Sequence, residues 1–254
     1  MMNIIYRKAD INDTPKLKSL WIDTFDEDET AVDIFFDNTM SYTSVYCAEI
    51  NSNIISAVYL IHCKLNNKKA HYLCGASTDK LYRKKGIMSK LIKYALNNSG
   101  DEYSALFPAS ESLYDFYAKL GYAPSCNAKR CTISKQELLN MELNSNTNNI
   151  IMQNNKFYDF AKSYYSYYGT RVLKNEKAII FADEKDDCTD VFYMDYTDAD
   201  AFKSLISMLN SDNLILTLNA DCENLDGEII RYGMIKSLKS KDTPQNVYIG
   251  ITLN

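Results

Sequence analysis

The chain has 254 residues, 46% of them hydrophobic and 24% charged, with a net charge of -5. That is ordinary globular composition. It excludes wholesale disorder, collagen and coiled coil, and it holds one large domain or two small ones. No apolar run approaches the roughly 20 residues of a membrane span, and the start, MMNIIYRKAD, has no signal-peptide core. Seven cysteines without framework spacing and only two histidines, His62 and His71, speak against a disulfide scaffold, a metal site and a histidine-based triad. Buried thiols in a reducing cytoplasm are the expectation. No general nucleic-acid footprint is present. Residues 1–134 carry 16 basic and 15 acidic groups, whereas residues 135–254 carry 12 and 18. Such asymmetry suggests two parts with different tasks.

In chain order, Ile4–Arg7 reads as a strand. Asp13 and Thr14 can cap a helix with Pro15 in its first turn and Leu17, Leu20, Trp21 and Phe25 at helical spacing. A second helix, carrying Val32, Phe35, Phe36 and Met40, follows the acidic stretch Asp26–Glu29. Ser44–Glu49, Ile54–Cys63 and His71–Thr78 read as strands separated by Asn-rich turns, an antiparallel meander. A helix with Ile87, Met88, Leu91, Ile92 and Ala95 on one face follows Arg83-Lys84-Lys85-Gly86. Next come a short strand at Tyr103–Phe107, a helix at Ser110–Leu120 stopped by Gly121, and a strand at Asn127–Ile133.

The span 135–155 is rich in Asn and Ser and reads as a linker. Beyond it, Ala178–Phe181, Val191–Met194, Leu214–Leu218, Glu228–Ile235 and Val247–Leu253 read as strands, with an Asp198-capped helix among them. The tract Phe157–Tyr168 (FYDFAKSYYSYY) suits core and rim packing, with a stacking surface for a ligand as the rarer use.

The segment Tyr72–Ile92 is the most informative. Strand, loop and helix follow one another, and the loop carries Arg83-x-x-Gly86. Amides at such a junction converge on one point, and the helix dipole adds positive charge there, so the turn can bind phosphate. Six basic residues against one acid between Asp79 and Lys93 suit a ligand with several phosphates. A solvated basic helix start fits the same residues. A P-loop and a Rossmann turn are excluded by their missing glycine patterns.

Some thirty residues on, Pro108–Tyr122 forms an aromatic-rich helix that ends in Gly121-Tyr122. Arg83-x-x-Gly86-x-Met88 after a strand, followed by Tyr117-x-x-x-Gly121-Tyr122, resembles the GNAT superfamily of acyl-CoA-dependent N-acyltransferases. Met88 stands where that family prefers Gly or Ala. The segment Ala109-Ser-Glu-Ser-Leu-Tyr-Asp-Phe-Tyr-Ala-Lys-Leu-Gly-Tyr122 is similar to the Eis-type (enhanced intracellular survival) branch.

The resemblance implies an α+β fold: a GNAT-type mixed sheet flanked by helices over residues 1–134, then a smaller α+β domain over 156–254. The tail Glu228–Asn254 fits an incomplete GNAT-like unit. Acetyl-CoA is the implied donor. Backbone groups of Ala76, Ser77 and Thr78 would hold its pantetheine arm, and amides from Lys84, Lys85, Gly86, Ile87 and Met88 its pyrophosphate. Arg83 would supply charge. Tyr117 matches the family's general acid, with Tyr114 in reserve. The base stays open between Glu111, Glu49, an ordered water and the Asn254 carboxylate, since no carboxylate lies on the strand His71–Thr78.

The implied reaction is acetyl transfer to a primary amine of a small molecule or peptide, without a metal, a nucleic-acid partner or a membrane. Asp26, Glu27, Asp28, Glu29, Asp33 and Asp37 could draw a cationic acceptor, or form a solvated acidic turn. A non-catalytic acyl-CoA-binding module or sensor is the alternative. Homo-oligomerisation through the second domain stays open.

Overall fold

The computed structural model describes residues 3–143, 155–222, 224–240 and 242–253. The first sheet has the order β1-β2-β3-β4-β5-β12 (Ile5–Lys8, Thr43–Ile50, Asn53–Leu65, Lys68–Thr78, Tyr103–Leu106, Met234–Ser237). All its pairs are antiparallel except β4 with β5. The helices α1 (Thr14–Phe25) and α2 (Glu29–Thr39) cover one face, and α3 (Ile87–Ser99) and α4 (Glu111–Ala118) the other. Pleating explains the split. Tyr59, Ile61 and Tyr72 point toward Trp21 and Phe35, whereas Val58, Leu60 and Leu73 point toward Leu91 and Ile92.

The second sheet has the order β11-β6-β10-β9-β8-β7 (Glu228–Arg231, Asn127–Ser134, Asn213–Asn219, Thr189–Tyr196, Ala178–Glu184, Arg171–Lys174). It packs on α5 (Lys135–Asn140) and α7 (Ala199–Ser207). This α+β architecture of two mixed sheets flanked by helices is the expected class. Helix α6 (Asn155–Tyr167) lies between the halves, with Phe160 packed 5.6 Å from Phe35, ring centroid to centroid.

The sheets exchange strands in a way the sequence does not reveal. Asn127–Ile133, expected as a strand that closes the first half, is part of β6, an inner strand of the second sheet, so sheet membership changes before Asn127 rather than at 134. Glu228–Ile235, expected as one strand, is two. Tyr232-Gly233 breaks it, Gly233 at a φ of +135°, and the second piece completes the first sheet. Within the expected linker 135–155, residues 135–140 are helical and 144–154 lie outside the described residues. Val247–Leu253 is buried apart from Leu253, but forms no strand among the described residues, and Val247 bridges Cys126.

Two buried polar clusters pin the first half. Arg7 bridges Asp13 at 2.6 Å and Glu49 at 2.6 Å. On the α3 face, His71 Nδ1 lies 2.7 Å from Asp101 Oδ2, and His62 Nδ1 lies 3.5 Å from the same oxygen. Burial holds the His71 ring below the usual imidazole range, against the pull of Asp101. Burial would raise the Asp101 carboxyl, but hydrogen bonds from His62 and His71 hold it well below its usual value. The bond to Arg7 holds Asp13 at about 2.

All three groups bind protons more weakly folded than unfolded, so all destabilise the fold in acid. The urea midpoint is expected to be flat between pH ~7 and ~8, below the unfolded thiol pKa, and to fall below ~6.5, the unfolded histidine pKa, as His71 resists protonation. It should fall again below ~4, as Asp101 and Asp13 are forced to take protons. A midpoint unchanged between pH 8 and 5, pH values set by the experimenter around ~6.5, would contradict the buried neutral His71.

Candidate functional site

Strands β4 and β5 pair only from Ala70–Tyr72 to Tyr103–Ala105. Beyond Tyr72, β4 runs on to Thr78 paired with β3 alone, so its other edge is open. The β3–β4 register also shifts between Ala57 and Tyr59, opposite Gly75-Ala76. Gly75 sits at a φ of +57°, and a Cβ there would lie 2.3 Å from the Trp21 ring. The bulge therefore needs glycine. It also turns β4 and leaves a backbone group outside the ladder.

A cleft of about 410 Å³ follows this open edge. Ala76 and Thr78 line it from the strand, Arg83, Lys84, Gly86, Ile87 and Met88 from the loop and α3, and Leu113, Phe116 and Tyr117 from α4. Gly86 has a φ of +72°, and no side chain caps the 13-residue helix that follows. The first-turn amides of α3 are thus available to an anion. Arg83 Nε donates to the Thr78 carbonyl at 2.9 Å and ties the loop to the strand end.

Two expected contributors do not line the cleft. Ser77 is fully buried, and its carbonyl accepts from Ser56 Oγ at 2.8 Å. Lys85 turns back to the Leu81 carbonyl and over the Tyr82 ring.

A second cavity of about 370 Å³ lies behind the bulge. Its wall includes Trp21 and Phe25 from α1, Glu27 from the α1–α2 turn, Tyr72–Ala76 from β4, Phe107, Ala109, Leu113 and Tyr117, Tyr164 from α6, and Leu253. The cleft and the cavity share Ala76, Leu113 and Tyr117. Tyr117 is 7% exposed, and burial pushes its phenol up to about 12. Its hydroxyl has no hydrogen-bond partner among the described residues. Tyr114, the reserve, lies under Arg231 instead.

Neither sequence candidate for a carboxylate base comes to this point. Glu111 is 75% exposed at its side chain and pairs with Arg231 at 2.8 Å, and Glu49 is held by Arg7. Asn254 lies outside the described residues, next to Leu253, whose amide donates to Tyr72 Oη at 3.3 Å. The carboxylate that lines the cavity is Glu27. It accepts from Tyr164 Oη at 3.3 Å and from Tyr168 Oη, while Tyr167 Oη donates to Asp28 at 2.7 Å. The aromatic tract thus packs core and rim, as expected, and adds a use the sequence did not suggest. Phe157, Phe160 and Tyr164 pack the core, and tyrosine hydroxyls fix the α1–α2 turn. Asp33 and Asp37 are paired with Lys18.

Residues 5–125 match the family model of the acetyltransferase (GNAT) domain. This chain carries a GNAT acetyltransferase domain. Its fold extends over the whole chain in solved structures. A protein of Enterococcus faecalis V583 described as a probable N-acyltransferase is 16% identical, with a TM-score of 0.72, covering 93% of this chain and 73% of its own. Eis1 from Mycobacterium abscessus is 8% identical, with a TM-score of 0.65, covering 93% and 74%. A putative acetyltransferase from Pyrococcus horikoshii is 14% identical, with a TM-score of 0.57, covering 100% and 95%. A search of the curated proteins gave no match. Among the described residues no cluster of His, Cys, Asp or Glu could hold a metal, and no helix is long and apolar enough to cross a membrane.

Proposed function

We propose that this GNAT protein transfers an acetyl group from acetyl-CoA to a primary amine by direct attack. The supporting observation is the meeting of the cleft and the cavity at Ala76, Leu113 and Tyr117. In this reading the cleft takes the donor. The open edge of β4 at Ala76 and Thr78 aligns the pantetheine arm like an added strand. The uncapped amides at Ile87 and Met88, with Arg83 and Lys84, receive the pyrophosphate.

The acceptor enters from the cavity. Its neutral nitrogen attacks the thioester carbonyl carbon. The C–N bond forms, the C–S bond breaks, and CoA leaves as a thiolate that takes the phenolic proton of Tyr117. The proton shed by the nitrogen passes to solvent and restores the phenol. An amide and free CoA are the products.

Calorimetric titration of acetyl-CoA tests the donor half. Wild type is expected to bind, and Arg83→Glu to bind about ten-fold or more weakly, because a repulsive charge replaces an attractive one at the anion site. Equal binding by both would remove the loop from the site. Thiol release with a panel of amines then tests transfer against the sensor alternative, which predicts binding without turnover.

A further inference from the structure

We infer that the acceptor is an arylalkylamine, a flat apolar body bearing one ammonium group, and that Glu27 holds that ammonium. The inference rests on the acetyl-transfer reading and narrows its substrate class.

The cavity wall carries the argument. Six aromatic side chains face it: Trp21, Phe25, Tyr72, Phe107, Tyr117 and Tyr164. Such walls favour a ring, by area and by edge and stacking geometry, and they attract a cation to their faces. Glu27 is the only charged residue lining it among the described residues.

The wall's hydrogen-bonding groups are largely committed. Tyr72 Oη accepts from the Leu253 amide, and Tyr164 Oη donates to Glu27. Among the wall's side chains, the Tyr117 hydroxyl, the Trp21 indole N–H and the Cys74 thiol lack partners among the described residues, and burial pushes the Cys74 thiol well above its usual range. A multiply charged acceptor would find one carboxylate for its charges, and a polyhydroxylated one few free side-chain partners, so either would lose more hydration than the wall replaces.

The way outward does not favour a polyamine either. Past Glu27 and Tyr164 lies an outer hollow with Asp183, Glu184 and Lys185. Its carboxylates are already engaged: Asp183 by Thr170 at 2.6 Å, and Glu184 by Arg171 at 3.0 Å and Asn210. Lys185 adds a like charge to any incoming ammonium. Glu27 itself is held from two sides by Tyr164 and Tyr168, and burial and the carboxylate push both phenols up, so they remain donors. The carboxylate is thus fixed in place before an amine arrives. Glu27 and Tyr117 line the same cavity, so an acceptor held at Glu27 is already in the space that Tyr117 borders.

The chain's one tryptophan, Trp21, is in this wall, so its emission reports occupancy without turnover. The protein is saturated with CoA and titrated with 2-phenylethylamine or spermidine. 2-Phenylethylamine is expected to change the emission saturably and at lower concentration than spermidine. Glu27→Gln should raise its half-saturation about ten- to hundred-fold, the loss of a charged hydrogen bond. Asp28→Asn, outside the wall, should leave it unchanged. Tyr168→Phe, which keeps the carboxylate but loosens it, should give a smaller rise and covers the case of an unfolded Glu27→Gln.

Tighter binding of spermidine, no saturable response to 2-phenylethylamine, or indifference to Glu27→Gln would each overturn the inference. Binding without thiol release from acetyl-CoA would overturn the transfer reading instead. Calorimetric binding of acetyl-CoA with no response to 2-phenylethylamine would sink this inference alone.

Discussion

Tyr117→Phe is expected to lower turnover by about 10²–10⁴-fold, the usual worth of a positioned acid, while acetyl-CoA binds as before. Removing one oxygen leaves the ring packing against Phe116 and Tyr122 in place, so the fold is not at risk. The hydroxyl also has no hydrogen-bond partner to orphan among the described residues. In water a phenol and a thiol differ by only ~1.5 pKa units. Burial lifts Tyr117 to about 12, which makes it a weaker acid in the abstract. The same dry surroundings disfavour a departing thiolate still more if it stays unprotonated. The raised value also sets the pH profile. Tyr117 must be protonated to act, and it stays so throughout the neutral and mildly basic range. Turnover should therefore rise with pH as the amine loses its proton, with no decline below pH ~10. A wild-type decline near pH 9, inside that ~10 limit, or a Phe variant with full turnover, would rule Tyr117 out as the acid. A sensor would be indifferent to the substitution.

What the sequence disclosed and what it hid follow the distance over which each feature is built. The anion loop is local: Arg83 to Met88 and the helix they lead into are continuous in sequence and end at Ser99, and most of Arg83 to Met88 lines a cleft. The Tyr117–Tyr122 ending is local too. Glu111 misled because closeness in sequence is not closeness on a helix. Six residues at ~100° each leave it ~240° around from Tyr117, on the outer side, where Arg231 meets it. Glu27 was visible as one of six acids. What singles it out is a pair of tyrosines 137 and 141 residues later. The strand exchange of Asn127–Ser134 and Met234–Ser237 is likewise non-local, since apolar alternation shows that a strand exists but not which sheet it joins. The acceptor side is therefore the least legible part, because three distant segments wall it.

Gly75 was hidden for the same reason, and Gly75→Ala is expected to be among the most destabilising single-methyl changes in the protein. The new Cβ would stand 2.3 Å from Trp21 Cζ3 and 2.7 Å from Tyr59 Cδ2. Neither ring can step aside. Trp21 packs 4.6 Å from Phe35 and 4.9 Å from Tyr59, centroid to centroid, and Tyr59 is fully buried. Overpacking costs about 1–3 kcal/mol, and an alanine at positive φ adds about 1–2 kcal/mol, so a loss of about 2–5 kcal/mol should appear in the urea midpoint. Trp21 emission should shift as well, since the strain falls on that ring. Gly86→Ala separates the two contributions. Its φ of +72° is as demanding, but its Cβ would meet nothing within 4 Å because it opens into the cleft. It should cost only the conformational part, about 1–2 kcal/mol, yet weaken acetyl-CoA binding. The first glycine shapes the bulge against the core and the second shapes the surface offered to the donor. Equal losses of stability in the two variants would refute that division.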